Sequence, residues 1–378
     1  MRDSAIPRPL RILEIGGHHL FKYAVPEQTE FCWTGVKPRN SAKVALGPLR
    51  MWRNIAKLRR GEFDLVVVHA QQYAPWHPRS FLTAIRDWHV RFPLGLFAIF
   101  AWRFVHWFHK VPIAAIDLGD SIIVGRHNHF LLKSGRMFFK RELPSDNWLA
   151  FCNSLYPKFP SRRWRSNHAG LTDKLRPLGY GAPSLDFGEL SLTAAATPPE
   201  KSADIFFAGA INNNSTLRIA GLEELRALER QGYVVDMPTE RLSHSEFFKR
   251  MSAAWLAWSP AGMGWDCSRH YEAPVLGTVP LINYPNIMRD TPLRDGEHCV
   301  LYAPEPGGLA KAARRALADK PKLREMAKAA AAHVAQHHSI YARANRVASL
   351  VLGRRLDGTP AGPDRMDDAV APAGSAKS

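Results

Sequence analysis

Between positions 264 and 286 the chain reads GWDCSRHYEAPVLGTVPLINYPN. This places Asp266, Cys267, Arg269, His270 and Glu272 within seven residues, directly before the apolar run from Val275 to Ile282. A carboxylate accepts two hydroxyl hydrogen bonds, as a ribose diol requires, and a nearby guanidinium favours phosphate and keeps that carboxylate ionised. If residues 268–275 are helical, Arg269 and Glu272 stand three apart on one face. An exposed Arg–Glu pair contributes only about 0.3–0.5 kcal/mol, a poor reason for so much polarity in a loop rich in Gly and Trp.

Three other stretches carry polar groups behind an apolar run. In FFAGAINNNSTLR (206–218), Gly209 opens a polar loop, Ser215 or Thr216 is available to cap a helix, and Arg218 stands in its first turn. Backbone donors with a guanidinium fork suit a diphosphate, and a solvent-facing capped helix is the plainer alternative. The G-x-G-x-x-G fingerprint of dinucleotide dehydrogenases is absent. In EIGGHHLFKY (14–23), Gly16 and Gly17 allow a tight turn that offers N–H groups to an anion at the start of the next helix. His18 and His19 lie close enough to act as base or donor, although a simple turn with exposed histidines explains the same residues. In DLGDSIIVGRHNH (117–129), Asp117 and Asp120 serve as a carboxylate base or as helix caps, with Arg126, His127 and His129 adding polar reach. The spacing of these aspartates and histidines matches no metal-ligand set, so no metal and no cofactor is expected.

Parallel strands are needed to bring such loops together, and the chain has their pattern. RILEIGG (11–17), DLVVVHA (64–70), PIAAIDL (112–118) and WLAFCN (148–153) read as short buried strands, with amphipathic stretches such as PLRMWRNIAKLRRGEF between them. The Pro-, Ser-, Thr- and Ala-rich segment around 183–202 breaks this rhythm as an interdomain linker would. A second series follows: DIFFAGA (204–210), a helix over 217–231, YVVDM (233–237), a helix over 243–252, AAWLAWSP (253–260) and VPLIN (279–283). The expected fold is therefore α/β, two doubly wound halves facing a central cleft, where such sheets bind ligands. Pro321 suits the start of an alanine-rich helix, Ser339 caps another and Gly353 stops it. The stretch after 354 has almost no large apolar residues and is expected to be disordered.

Composition bounds the partners. With 51 Lys and Arg against 34 Asp and Glu, the formal charge is +17, which attracts nucleic acid, an acidic membrane face or a phosphorylated substrate. Four cysteines (32, 152, 267 and 299) lack paired spacing, which points to ordinary thiols in a reducing compartment. No export signal is visible at the N-terminus, and the apolar run 93–102 is too short for roughly 30 Å of hydrocarbon. The basic cluster 158–168 around Trp164 and the aromatic helix expected over 91–110 suit either the face of an anionic membrane or, for the helix, a core.

The second half resembles the GT-B glycosyltransferases, especially the CgeB-like and glycosyl transferase group 1 proteins. The resemblance runs over about 200–350 and is carried by Phe207, Gly209 and Arg218. It continues with Gly264, Asp266, Arg269, Tyr271, Glu272, Ala273, Gly277 and Pro280, and then with Asp295 to Tyr302. In the first half it rests on the strand rhythm and on Asp117-x-x-Asp120 followed by FKREL. It implies two Rossmann-like domains: an acceptor-binding domain at 1–185, a linker at 186–202 and a nucleotide-sugar-binding domain at 203–338. A helix at 339–353 and a tail at 354–378 complete the chain.

The resemblance further implies metal-independent transfer of a sugar from a nucleotide donor to a polysaccharide, glycolipid or other surface-glycan acceptor, in the cytoplasm or at the inner membrane face. Glu272 would bind the ribose, Arg218 with the Gly209 loop the diphosphate, Arg269 would neighbour Glu272 or contact phosphate, and Gly264 and Asp266 would face the donor sugar, with Cys267 and His270 as bystanders. Asp120 or His19 would be the base that deprotonates the acceptor. Many retaining relatives carry a second glutamate eight positions before the ribose-binding one; here Gly264 stands there, which leaves the stereochemistry open. The alternatives are a non-catalytic anion- or nucleic-acid-binding protein on the same scaffold and a nucleotide-sugar epimerase. The basic residues are interleaved with no recognisable nucleic-acid module, so no specific nucleic acid is expected.

Overall fold

A computed structural model describes residues 7–33, 48–70, 78, 82, 110–152, 169–182, 200–211 and 215–362. The chain divides into two compact units, one running to Leu178 and rejoined from Arg343, the other spanning Gly179 to Ala342.

The first unit contains β1 (Ile12–Gly16), α1 (Phe21–Ala24), β2 (Thr29–Trp33), α2 (Pro48–Arg59), β3 (Leu65–His69), β4 (Ile113–Asp117), α3 (His129–Ser134), β5 (Met137–Lys140), α4 (Ala169–Thr172) and β6 (Leu175–Pro177). The strands lie in the order β2-β1-β3-β4-β5-β6, and every neighbouring pair is parallel. β1 and β3 are buried along their whole length, as continuous aliphatic runs must be when helices cover both faces of a sheet. The register sets Ile15 beside Val68, His69 beside Ile116 and Asp117 beside Lys140. Polar residues therefore collect at one edge, the carboxyl ends of β1, β3, β4 and β5.

The second unit contains β7 (Ala203–Phe206), α5 (Thr216–Arg230), β8 (Val235–Asp236), α6 (His244–Ser252), β9 (Ala254–Trp258), α7 (Arg269–Val275), β10 (Val279–Asn283), β11 (Val300–Tyr302), α8 (Gly308–Leu317) and α9 (Lys320–His337). The last helix, α10 (Ile340–Leu352), leads back into the first unit. The parallel order β11-β10-β9-β7-β8 reverses direction between β7 and β9. Such a reversal opens a crevice outside the carboxyl ends of the two strands on either side of it. Lys201 ties the entrance of this sheet together: its ammonium donates to the carbonyls of Ser252, Ala254 and Gly277 at 2.7–2.8 Å and to Thr278 Oγ1 at 3.3 Å. The core behind the sheet is built on Phe207, Leu225, Trp258 and Leu281, and the Trp258 indole N–H donates to Tyr302 Oη at 2.9 Å.

Caps follow the sequence closely. Ser215 Oγ accepts from the Arg218 N–H and starts α5, Ser339 Oγ accepts from the Ala342 N–H, and Gly353 ends the last helix at φ +67°. Two expectations are corrected. WLAFCN is not a strand: residues Asn147–Phe151 form a 3-10 helix that Asp146 caps through the Trp148 N–H. A short apolar run has no period long enough to separate strand from helix, and the preceding cap decides. Residues 354–362 are not a loose tail either. Arg354 bridges Pro360, Leu356 is fully buried and its carbonyl accepts from the Leu10 N–H at 3.0 Å, and Arg354 reaches Asp64 at 3.3 Å. One leucine in a polar stretch is enough to anchor it. The segments 91–109, 158–168 and most of 186–202 lie outside the described residues, as do 363–378. Among the described residues no helix is long and apolar enough to cross a membrane.

Candidate active site

At the reversal point of the second unit two guanidiniums converge. Arg218, in the first turn of α5, donates from Nε to the Ala261 carbonyl at 3.2 Å and from Nη1 to the Ala210 carbonyl at 2.8 Å. Arg269, opening α7, donates from Nη1 to the Ala208 carbonyl at 3.0 Å and lies 5.5 Å from the centre of the Phe207 ring. Neither pairs with a carboxylate among the described residues. Burial, followed by the charge of Arg269, lowers the Arg218 pKa, though it stays a cation. Both side chains fit because glycine stands opposite each. A Cβ on Gly209 would come within 2.7 Å of Arg269 Nη1, and one on Gly262 within 2.6 Å of Arg218 Nη2.

Among the described residues these two cations are held by carbonyls and, for Arg269, by the Phe207 ring, which leaves their charge unneutralised. That arrangement suits an oxyanion with several oxygens. No group of three or more His, Cys, Asp or Glu side chains among the described residues is arranged to hold a metal ion.

The rest of the 264–272 stretch divides differently from expectation. Asp266 does not face outward: it is buried, and its carboxylate accepts from the Tyr180 N–H and from Tyr271 Oη at 2.7 Å. Burial pushes its pKa up, but His270 and these donors outweigh it and hold the group ionised. Arg269 also does not turn toward Glu272; its guanidinium is drawn to the Ala208 carbonyl and the Phe207 ring. Glu272 is buried in the first turn of α7. Gly264 accepts from the Gly262 N–H through its carbonyl, closing the loop between β9 and α7. His270 is no bystander: its Nε2–H donates to the Ser259 carbonyl at 3.1 Å while Nδ1 lies 3.9 Å from Asp266 Oδ1.

In the first unit the expected anion loop is already occupied from within. Glu14, in the middle of β1, accepts from the N–H groups of Leu20 (2.8 Å), Phe21 (3.2 Å) and Lys22 (2.8 Å), and from His69 Nε2 at 2.8 Å. The donors that Gly16 and Gly17 were expected to offer at the start of α1 are thus spent on the protein's own carboxylate. Gly16 does have a tight role, since a Cβ there would meet His69 Cβ at 2.4 Å.

His19 stacks on Phe31 and Tyr23, with ring centres 4.1 and 5.1 Å away, and burial lowers its pKa, so the ring is neutral at pH 7. His18 lies 5.8 Å from the His69 ring. Asp117 accepts from the buried Lys140 at 2.8 Å and from the Gly119 N–H at 2.9 Å; it caps its own turn rather than a helix. Asp120, 53% exposed, is paired with Arg141. Asn128 contacts His127, and the His129 ring contacts the Val124 carbonyl at 3.1 Å and stands edge-on to Phe151.

Sequence reasoning missed Glu14, His69, Lys140 and Lys201. The first three had a signal, a charged or imidazole side chain inside or ending an otherwise apolar strand (ILEIG, LVVVH, MFFK). Lys201 had none.

Residues 211–349 match the family model described as glycosyl transferase-like. No curated protein sequence matches the chain. Among solved structures, a glycosyltransferase from Rickettsia africae ESF-5 superposes with a TM-score of 0.50 at 10% identity, covering 91% of this chain and 99% of that one. An alpha,alpha-trehalose-phosphate synthase from Burkholderia xenovorans gives 0.49 at 11% identity over 90% and 100% of the two chains. A sucrose-phosphate synthase from Thermosynechococcus elongatus gives 0.48 at 12% over 90% and 98%.

Proposed function

We propose that this chain, a glycosyltransferase by its GT-B fold and by the family matched over its second unit, moves a sugar from a nucleotide donor to the hydroxyl of a glycan or lipid-linked acceptor. The observation that carries the reading is the Arg218–Arg269 pair, two cations without a carboxylate partner among the described residues, at the reversal point of a doubly wound sheet. In this reading both guanidiniums and the Gly209 backbone hold the donor diphosphate, and Glu272 holds the ribose. The loop through Gly264 faces the sugar. Asp266 acts from behind, by fixing Tyr180, Tyr271 and His270. As the bond to the sugar breaks, charge gathers on the leaving phosphate, and two preorganised guanidiniums stabilise it there. That supplies the neutralisation for which a divalent cation is otherwise used, so activity should survive chelation.

The first unit binds the acceptor, and its base is His19 or Asp120. The neutral ring of His19 has a lone pair to accept the hydroxyl proton at pH 7, whereas Asp120 has to release Arg141 first. The charge of +17 supports an acceptor displayed at an anionic surface, including the inner face of a membrane.

The test is calorimetric titration with UDP-, GDP-, ADP- and CMP-sugars of the wild type, Arg218→Ala and Glu272→Ala, with folding checked by circular dichroism. One donor should bind the wild type, and each variant should weaken it by about tenfold or more. Unchanged affinity in both folded variants would sink the assignment. Salt-sensitive binding to generic RNA without any nucleotide-sugar affinity would favour the non-catalytic alternative instead.

A further inference from the structure

The carbonyl that holds Arg218 is itself held. Ala261 stands in the loop between β9 and α7, and its oxygen accepts from Arg218 Nε at 3.2 Å and from Ser215 Oγ at 3.3 Å. Its N–H donates to Asn283 Oδ1 at 2.8 Å. At the far end of the same loop the Trp265 indole N–H donates to the main-chain carbonyl of Asn283 at 2.9 Å. Asn283 therefore grips both ends of the segment 261–265, with two different oxygens. Between those ends the Gly262 N–H donates to the Gly264 carbonyl at 2.9 Å and closes the turn.

Asn283 is the last residue of β10 and is buried behind the apolar run VPLI. Burial alone would be served as well by leucine, which has nearly the same size. The amide is instead used in one orientation: Oδ1 meets the Ala261 N–H, and Nδ2 donates to the Tyr284 carbonyl at 3.1 Å. β10 runs parallel to β9 beside it, so the carboxyl ends of both strands open on the same side and the end of one strand can reach the loop of the other. The Arg218 guanidinium is then fixed by two carbonyls, Ala210 beyond β7 and Ala261 beyond β9, and the residue that ends β10 fixes the second of them. Gly262 lies against Arg218 Nη2, where a Cβ would come within 2.6 Å, so this loop cannot drift toward Arg218 without moving the guanidinium.

We propose that Asn283 is a positioning residue for the donor diphosphate: by fixing the 261–265 loop it sets the Ala261 carbonyl that aims the Arg218 guanidinium. A group that binds an anion by geometry as well as charge needs its own supports locked, and a bidentate guanidinium is the side chain for which aim matters most. Asn283 acts through Arg218 and not on the ligand. The consequence for binding rests on the reading of Arg218 as a phosphate ligand; the aiming of the guanidinium does not.

The experiment has two arms on the full chain, with folding checked by circular dichroism. In the first, hydrogen–deuterium exchange read by mass spectrometry compares the wild type with Asn283→Leu, or with Asn283→Ala if the leucine variant does not fold. The amides of 261–265 should exchange about tenfold faster in the variant while those of β9 keep their rate, and Asn283→Asp, which keeps an acceptor for the Ala261 N–H, should stay within about threefold of wild type. An unchanged rate in the leucine or alanine variant, or an aspartate variant as fast as either, overturns the positioning. In the second arm UDP, GDP and ADP are titrated calorimetrically. Asn283→Leu should weaken whichever of them binds the wild type by about tenfold, but by less than about twofold when Arg218→Ala is already present, because two residues acting through one contact are not additive. Equal losses in both backgrounds overturn the route through Arg218, and a loosened loop with unchanged affinity overturns the link to binding. If none of the three nucleotides binds the wild type, the phosphate reading fails and the exchange arm alone decides the positioning.

Discussion

The Nε2–H of His69 donates to a carboxylate oxygen of Glu14 at 2.8 Å, and both side chains are fully enclosed. Burial alone would raise the Glu14 pKa, but His69 and the N–H groups of Leu20 and Lys22 more than compensate, so the carboxylate is ionised. One buried group thereby fixes the turn after β1 and the end of β3. Removing the carboxylate leaves His69 and three N–H groups without their acceptor, at about 1–3 kcal/mol for each buried group left unsatisfied, partly recovered by water. Glu14→Ala should lose stability on that scale in guanidinium denaturation, and a loss under about 1 kcal/mol would show that the turn is held by other contacts.

Gly209 faces the far end of a flexible side chain rather than packed backbone. A methyl group there would displace the Arg269 guanidinium from the Ala208 carbonyl and press on the edge of the Phe207 ring, whose nearest atom it would meet at 3.2 Å. Gly209→Ala should weaken nucleotide-sugar binding by about tenfold, the scale of one displaced charge-assisted contact, with a melting temperature within a few degrees of wild type. Calorimetry and thermal unfolding on the same sample separate the two effects.

Lys201 joins the carbonyls of Ser252, Ala254 and Gly277 from below the sheet, and burial lowers its pKa to about 8. Lys201→Met keeps the aliphatic stem and leaves three carbonyls without their donor. At about 1–3 kcal/mol for each buried group left unsatisfied, partly recovered by water, the expected loss is about 2–4 kcal/mol. Donor affinity of the folded fraction should be unchanged, because Lys201 acts at the amino ends of β7 and β9 and the two guanidiniums lie beyond their carboxyl ends.

Acid should loosen the second unit through His338. Burial, with help from the charge of His333, drops its pKa to about 3, although the Thr291 carbonyl and Asp266 pull the other way. In the unfolded chain the same ring takes a proton near 6.5, so between these values the unfolded state binds more protons than the folded one. The stability is therefore fully present above about pH 6.5 and is lost as the pH falls toward 3, by up to about 1.4 kcal/mol per unit. His338→Gln keeps a donor for Thr291 without the titration and should flatten the pH 4–7 limb of a denaturation series.

His270 has the opposite sign. Its folded pKa of about 9 lies above the unfolded value, so its contribution is complete below about pH 6.5 and disappears as the pH rises through 9. Wild-type stability should fall between pH 7 and 10, and His270→Asn should lack that fall. An equal fall in the variant would assign it to other groups.

Strands such as LVVVH and AWLAW were legible because a run of aliphatic or aromatic residues of that length has few other uses, and the helices between them because their apolar positions recur at helical spacing. Ser215, Ser339 and Gly353 were legible because caps are local chemistry. WLAFC was misread because its cap, Asp146, lies outside the apolar run. Leu356 was missed because burial of a single side chain depends on what it packs against. Asp266 was assigned outward because its partners, Tyr180 and Tyr271, include one 86 positions away.

By itself the sequence determined the alternation of strand and helix, the presence of two such series and the residue types that could meet a phosphate, all properties of neighbours along the chain. The tertiary structure decided which of those residues meet. It turned Glu14 inward to serve the donors that Gly16 and Gly17 seemed to offer, and buried Asp266 behind the site. It also brought Arg218 and Arg269, 51 positions apart, to the loops that follow β7 and β9. The reason is that strand order and register, with the hydrogen bonds each buried charge must find, are relations between distant segments, and no local pattern encodes which partner a buried charge will have.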